Sequence, residues 1–79
     1  MKQFVIVFDR PRGQILEMVS FAETERDLAM KELFEREERY RGQSDVEVVM
    51  LGSDSVDTLK TTHSRYFKGE LQKRISTPG

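Results

Sequence analysis

Residues 3–21 read QFVIVFDRPRGQILEMVSF, and this stretch decides the fold. The first seven residues are β-branched or aromatic with almost no polar interruption, the composition of a strand buried on both faces. Arg10, Pro11, Arg12 and Gly13 follow; proline fixes φ and glycine permits φ > 0, so they predict a hairpin loop. Residues 14–21 then return as a second strand, with Ile15, Glu17, Val19 and Phe21 on one face and Leu16, Met18 and Ser20 on the other. Glu17 and Ser20 mark it as an edge strand.

Beyond the hairpin, Thr24 followed by Asp27 forms a capping box that opens a helix running to about Arg41 and stopped by Gly42. At 100° per residue, Ala29, Met30, Leu33, Phe34 and Tyr40 share a stripe predicted to face the sheet. Glu32, Glu35, Arg36 and Arg39 occupy the solvated side, paired at i,i+4. Two residues break the pattern: Leu28 projects among the charges, and Glu37 falls inside the apolar stripe beside Arg26 and Arg41. Residues 46–51, VEVVML, form a third, strongly apolar strand. Ser55 is the N-cap of a second helix whose inward positions are Val56, Leu59, His63, Tyr66 and Phe67, with Gly69 as its stop.

The element order β-β-α-β-α predicts an α+β fold. The third strand should run parallel to the second and antiparallel to the first, giving a three-stranded antiparallel/mixed sheet of order 2-1-3 with both helices on one face. Residues 1–69 form the single domain and 70–79 a flexible tail. An apolar face bearing Val5, Val7, Val49 and Leu51 would then lie uncovered. Those four are the candidate interface residues, with a second copy of the chain as partner, so a homodimer is expected.

Composition narrows the classes. The chain has 79 residues, 13 basic and 14 acidic, with a formal net charge of −1, which gives no global field for attracting a polyanion. Nucleic acid is therefore not an expected partner. The sequence contains no cysteine, which removes disulfides and thiolate zinc sites and suits a reducing cytoplasm. The N-terminus lacks the apolar core and cleavage site of a signal peptide, and no apolar run approaches the roughly 20 residues of a membrane span. A cytoplasmic protein outside the membrane is expected, with no cofactor and no metal.

The residues with chemical potential gather between positions 51 and 67, LGSDSVDTLKTTHSRYF. Ser53, Asp54, Ser55, His63, Arg65 and Tyr66 are the candidate ligand-binding residues, because a strand end feeding a helix start is a common place for ligands. Asp54 and Asp57 already occupy the positive helix end and would repel an anion, so the corner reads most economically as a self-capped helix. His63 has the right intrinsic pKa for a general base but stands at no metal-ligand spacing, and reads as a partly buried histidine. Asp9, Asp27 and Asp54, with Glu32 as a substitute for Asp27, follow the order in which ribonuclease-H-like nucleases hold two Mg²⁺ ions. One strand of that family's meander is missing here, and the antiparallel direction sends Asp9 and Asp54 to opposite sheet ends. Arg10 and Arg12 with Lys60, Arg65 and Lys68 make a small basic set, read as solvated charge.

FVIVFDRPRGQ, VEVVMLGSDS and TTHSRYF together resemble a family of small actinobacterial proteins of unknown function, in which a similar strand, an LG-x-[DE]-S corner and a TH-x-RYF helix recur. The similarity spans nearly the whole folded part. It implies a stand-alone single-domain protein, supplies no activity, and draws attention to Ser53, Asp54, His63, Arg65 and Tyr66. The expected function is a non-enzymatic module that binds a protein or a small ligand. A metal-dependent nuclease built on Asp9, Asp27 and Asp54, and a nucleic-acid-binding accessory, are the alternatives.

Overall fold

The computed structural model describes residues 1–68. Strands β1 (Lys2–Asp9) and β2 (Gln14–Phe21) form the hairpin, helix α1 (Arg26–Arg39) follows, then β3 (Val46–Ser53) and helix α2 (Val56–Thr62). Short 3₁₀ turns at Glu23–Glu25 and Ser64–Tyr66 open α1 and follow α2. The sheet order is β2-β1-β3, with β1 antiparallel to both neighbours. This is the α+β fold expected from the element order. The tail expected over 70–79, and Gly69 as a helix stop, lie outside the described residues.

Sequence explains the central strand directly. Phe4, Val5, Ile6, Val7 and Phe8 are all buried, so successive side chains pointing to opposite faces both find cover. The hairpin closes with the Gly13 N–H donating to the Arg10 carbonyl at 3.2 Å, and Gly13 takes a φ of 64° that a β-carbon would strain. Gly42, at φ 86°, ends the α1 region in the same way.

The helices, expected on one face, lie on opposite faces. Phe4, Ile6 and Phe8 pack with Leu59, Tyr66 and Phe67 from the α2 segment, joined by Ile15, Val49 and Leu51. Val5 packs with Phe21 and Ala29, joined by Val19, Leu33 and Met50, beneath α1. The crossover from β2 to β3, which runs parallel to it on the far side of β1, places α1 over one face, and α2 leaves β3 to cover the other. A strand as apolar as β1 in both alternations requires this. Of the four candidate interface residues, Val5 and Val7 are 0% exposed. Val49 and Leu51 sit opposite Ile6 and Phe4, on the α2 face, so the four neither share a face nor lie open.

Other local differences have physical causes. The register of β1 against β2 slips between Val7, opposite Glu17, and Phe8, opposite Ile15. Leu16 is the extra residue of a β-bulge, and the bulge turns Ile15 to the α2 face while Glu17, Val19 and Phe21 keep the α1 face. Thr24 lies within the 3₁₀ turn, and the Glu25 carboxylate, accepting the Ala22 N–H at 2.9 Å, caps the entry instead. Arg36 points inward at 8% exposed while Phe34 points out at 57%, the reverse of their expected sides. The long apolar stem of an arginine lies along the sheet and carries its charge to Glu17. Helix α2 ends at Thr62, short of Tyr66. The Thr61 and Thr62 hydroxyls donate to the Asp57 and Thr58 carbonyls, back-bonding that competes with a regular helix.

Candidate functional site

The strand-to-helix corner is built as a cap. The Ser55 hydroxyl oxygen accepts the Thr58 N–H at 3.1 Å, the expected N-cap bond. Ser53, 3% exposed, donates its hydroxyl to the Ser55 carbonyl at 2.9 Å, which fixes the turn from below. Asp54 and Asp57 are exposed. Ser53 and Ser55 are therefore joined to each other and to the start of α2. His63 is half-buried and closes the C-terminal end of α2 through its backbone, its N–H donating to the Leu59 carbonyl at 2.9 Å. The opposite ends of α2 hold the serines and the histidine, so these candidates do not converge.

Arg65 and Tyr66 do converge, on the one polar residue within the VEVVML run. Glu47, on β3 opposite Phe8, accepts the Tyr66 hydroxyl at 2.5 Å, Arg65 at 2.6 Å and Arg10 at 3.2 Å. Arg10 also donates to the Ser44 carbonyl at 3.0 Å. The guanidinium of Arg65 stacks over the Tyr66 ring at 4.5 Å, and that ring meets Phe8 edge-on, with centroids 5.1 Å apart.

A second carboxylate repeats the pattern on the other face. Glu17, on β2 opposite Val7, accepts the Tyr40 hydroxyl at 2.6 Å, Arg36 at 3.2 Å and Arg39 at 3.5 Å. Arg36 is held in addition by Glu32 at 2.6 Å. In each case a strand glutamate waits for a tyrosine that arrives just after the next helix: Glu17, α1, Tyr40, and Glu47, α2, Tyr66. Val7 and Phe8 are neighbours on β1, so the two latches occupy the same end of the sheet, one on each face. The signal in sequence was a single charged residue inside each apolar strand. Its partners stand 18 to 23 residues later or, for Arg10, 37 residues earlier, and no local spacing announces them.

Electrostatics fit the two clusters as latches. For Glu17 the Tyr40 hydrogen bond, with the charges of Arg36 and Arg39, outweighs burial and holds the carboxyl below its ordinary range. Burial pushes Glu47 up, but the bonds from Tyr66, Arg65 and Arg10 together win, and it too is lowered. Tyr66 is pushed up by burial and by Glu47, and Tyr40 by Glu47's counterpart Glu17. Both oxygens of each glutamate already accept donors, so neither is free to take a proton from a substrate near neutral pH.

The latches give stability a two-sided pH dependence. A lowered carboxyl contributes above the ordinary glutamate range, near pH ~4.3, and its contribution is lost as pH falls through the lowered folded values. A raised tyrosine contributes below the ordinary phenol range, near pH ~10, and its contribution is lost as pH climbs through the raised values. Denaturant melts across pH are expected to show a neutral plateau that falls on both sides. The Glu17→Gln, Glu47→Gln double variant should lose on the order of 1–3 kcal/mol per site at neutral pH and show a flatter acid limb. An unchanged acid limb would contradict the latches.

The nuclease constellation does not assemble. Asp9 pairs with Val46, and Lys2 pairs with Ser53 beside Asp54. Seven residues of strand, roughly 24 Å at 3.4 Å each, separate the two carboxylates, against the ~4 Å between two catalytic metals. Asp9 accepts the N–H of Arg12 at 3.3 Å and closes its own loop. Among the described residues no three His, Cys, Asp or Glu side chains are placed to hold a metal ion. The basic set is likewise divided, with Arg10 and Arg65 turned onto Glu47. Among the described residues no helix is long and apolar enough to cross a membrane. Compared with protein-family models, curated proteins and solved structures, the chain matches none.

Proposed function

We propose that this chain works without catalysis, as a self-associating protein-interaction module. The observation that carries the reading is a division between spent and unspent surface. The half-buried carboxylates are engaged with the arginines and tyrosines around them, and the serines of the corner with one another. Apolar surface, by contrast, stays open on α1, where Phe34 is 57% exposed and borders a shallow depression with Met30, Asp27, Lys31, Glu35 and Glu38. A large aromatic left in water beside a flexible methionine is the composition of an interface core.

Light scattering on a sizing column tests the reading. The mass should climb from 9.2 kDa toward twice that value as protein concentration rises through the micromolar range. A mass that stays at the single-chain value throughout overturns self-association. A magnesium-dependent nuclease activity that disappears in Asp9→Asn would overturn the non-catalytic part.

A further inference from the structure

We propose that the surface of self-association is the edge of β3 together with the adjoining flank of α1, and that a second copy pairs there with Val49 on the two-fold axis. The proposal rests on the self-association reading and gives it a location. Both outer strands have an open edge, but only one is guarded. The edge of β2 is broken by the bulge at Leu16, a device that deflects pairing. β3 runs through eight residues in continuous register with β1, contains no proline or lysine, and Val46 to Leu51 are all half-buried. Its one charge, Glu47, is engaged in the latch.

Hydrogen-bond alternation makes this edge self-complementary. The Arg10 N–H donates to the Asp45 carbonyl at 2.9 Å, so this rung is a bonded pair. Every second rung after it then bonds as well, and Glu47, Val49, Leu51 and Ser53 turn their backbone groups to β1. Val48, Met50 and Gly52 turn theirs outward. An antiparallel pair of β3 strands centred on Val49 sets Val48 against Met50 of the partner subunit, twice by symmetry, so both central outward rungs are matched; the Val46 N–H already donates to the Gln43 carbonyl at 3.0 Å and stays within its protomer.

The helices agree with that register. Arg36 and Arg39 reach Glu17 on β2, which fixes one flank of α1; at 100° per residue Met30, Phe34, Arg26 and Glu37 lie on the other, toward β3. Helix α1 lies over all three strands, chiefly β1 and β3. With strands ~4.8 Å apart, two copies of α1 stand roughly 10–14 Å apart across the two-fold axis, within reach of side chains as long as Phe34 and Met30. Ala29 packs at Val5 and Arg36 at Glu17, opposite Val7, so the middle of the helix stands above Ile6, whose partner is Val49. Phe34 and Met30 of the two copies then meet across the axis. Antiparallel pairing about that centre also brings Arg26 to Glu37 of the partner subunit, twice by symmetry. Neither residue forms an ion pair among the described residues, and Glu37 is the charge that broke the apolar stripe.

The test uses the full chain. Phe34→Asp changes a side chain already in water, so the variant should fold, and its dimer should dissociate roughly thirty-fold more readily, the scale of an interface hot spot. Arg26→Glu and Glu37→Arg should each weaken the dimer and restore it together. Val49→Cys, a unique thiol, should form a disulfide-linked dimer under mild oxidation, since unbonded antiparallel partners stand ~4.5 Å apart; Leu28→Cys on the far flank should not. A dimer indifferent to Phe34→Asp, with no Val49→Cys cross-link, overturns the location and leaves self-association standing. A monomer at every concentration overturns both.

Discussion

Val5→Lys is expected to leave no folded protein. Val5 is 0% exposed, packed with Phe21 and Ala29 between the sheet and α1. A lysine there must be ionised without a partner or lose its proton, and either costs several kcal/mol. A chain of 79 residues holds about 4–12 kcal/mol in total. The variant should lose its near-ultraviolet circular dichroism and unfold without denaturant. The outcome separates the two accounts of this face: on an uncovered dimer interface, the same lysine would give a folded monomer. A folded Val5→Lys monomer would therefore show that α1 does not lie where we place it.

Leu59→Ala carries the next largest effect, on the opposite face. Leu59 is fully buried among Phe4, Ile6, Phe8, Tyr66 and Phe67, and is the one buried residue within α2 itself. Truncation should cost about 2–5 kcal/mol, the removed methyls plus the cavity left behind. Because α2 has only seven residues, too few to hold a helix by local bonds, its packing is nearly all that keeps it. Loss of Leu59 should also loosen the Tyr66–Glu47 latch, so the melting temperature falls and its pH dependence flattens together. Val56→Ala, at an exposed position of the same helix, should stay within about 0.5 kcal/mol. Equal effects at the two positions would contradict the α2 packing.

The elements were legible where the signal is local. The apolar run of β1, the Pro/Gly loop, the Ser55 cap and the strand order all follow from neighbouring residues and chain direction. The composition of β1 also demanded cover on both faces. Assigning both helices to one side left Val5 and Val7 bare against that demand, and the structure resolves the conflict in favour of the strand. Three features lay beyond a pattern reading. The bulge at Leu16 shifts the period by one residue and moves Ile15 away from Glu17. Arg36 looks solvated in a helical wheel because its charge is counted and its apolar stem is not. The latch partners of Glu17 and Glu47 are distant in sequence, so Arg65 and Tyr66 were legible as notable residues but not as partners of Glu47. The separation of Asp9 from Asp54 was legible, since it follows from antiparallel direction alone.

Amide hydrogen exchange along β3 reads the proposed edge pairing residue by residue. Within one protomer, the Val49 and Leu51 N–H groups bond to β1, whereas those of Val48, Met50 and Gly52 face outward. Val49 and Leu51 are expected to exchange slowly at every concentration, while Val48 and Met50 become protected only as the protein is concentrated and lose that protection in Phe34→Asp. Rapid exchange of Val48 and Met50 at all concentrations, or protection that persists unchanged on dilution to the monomer, would contradict that pairing.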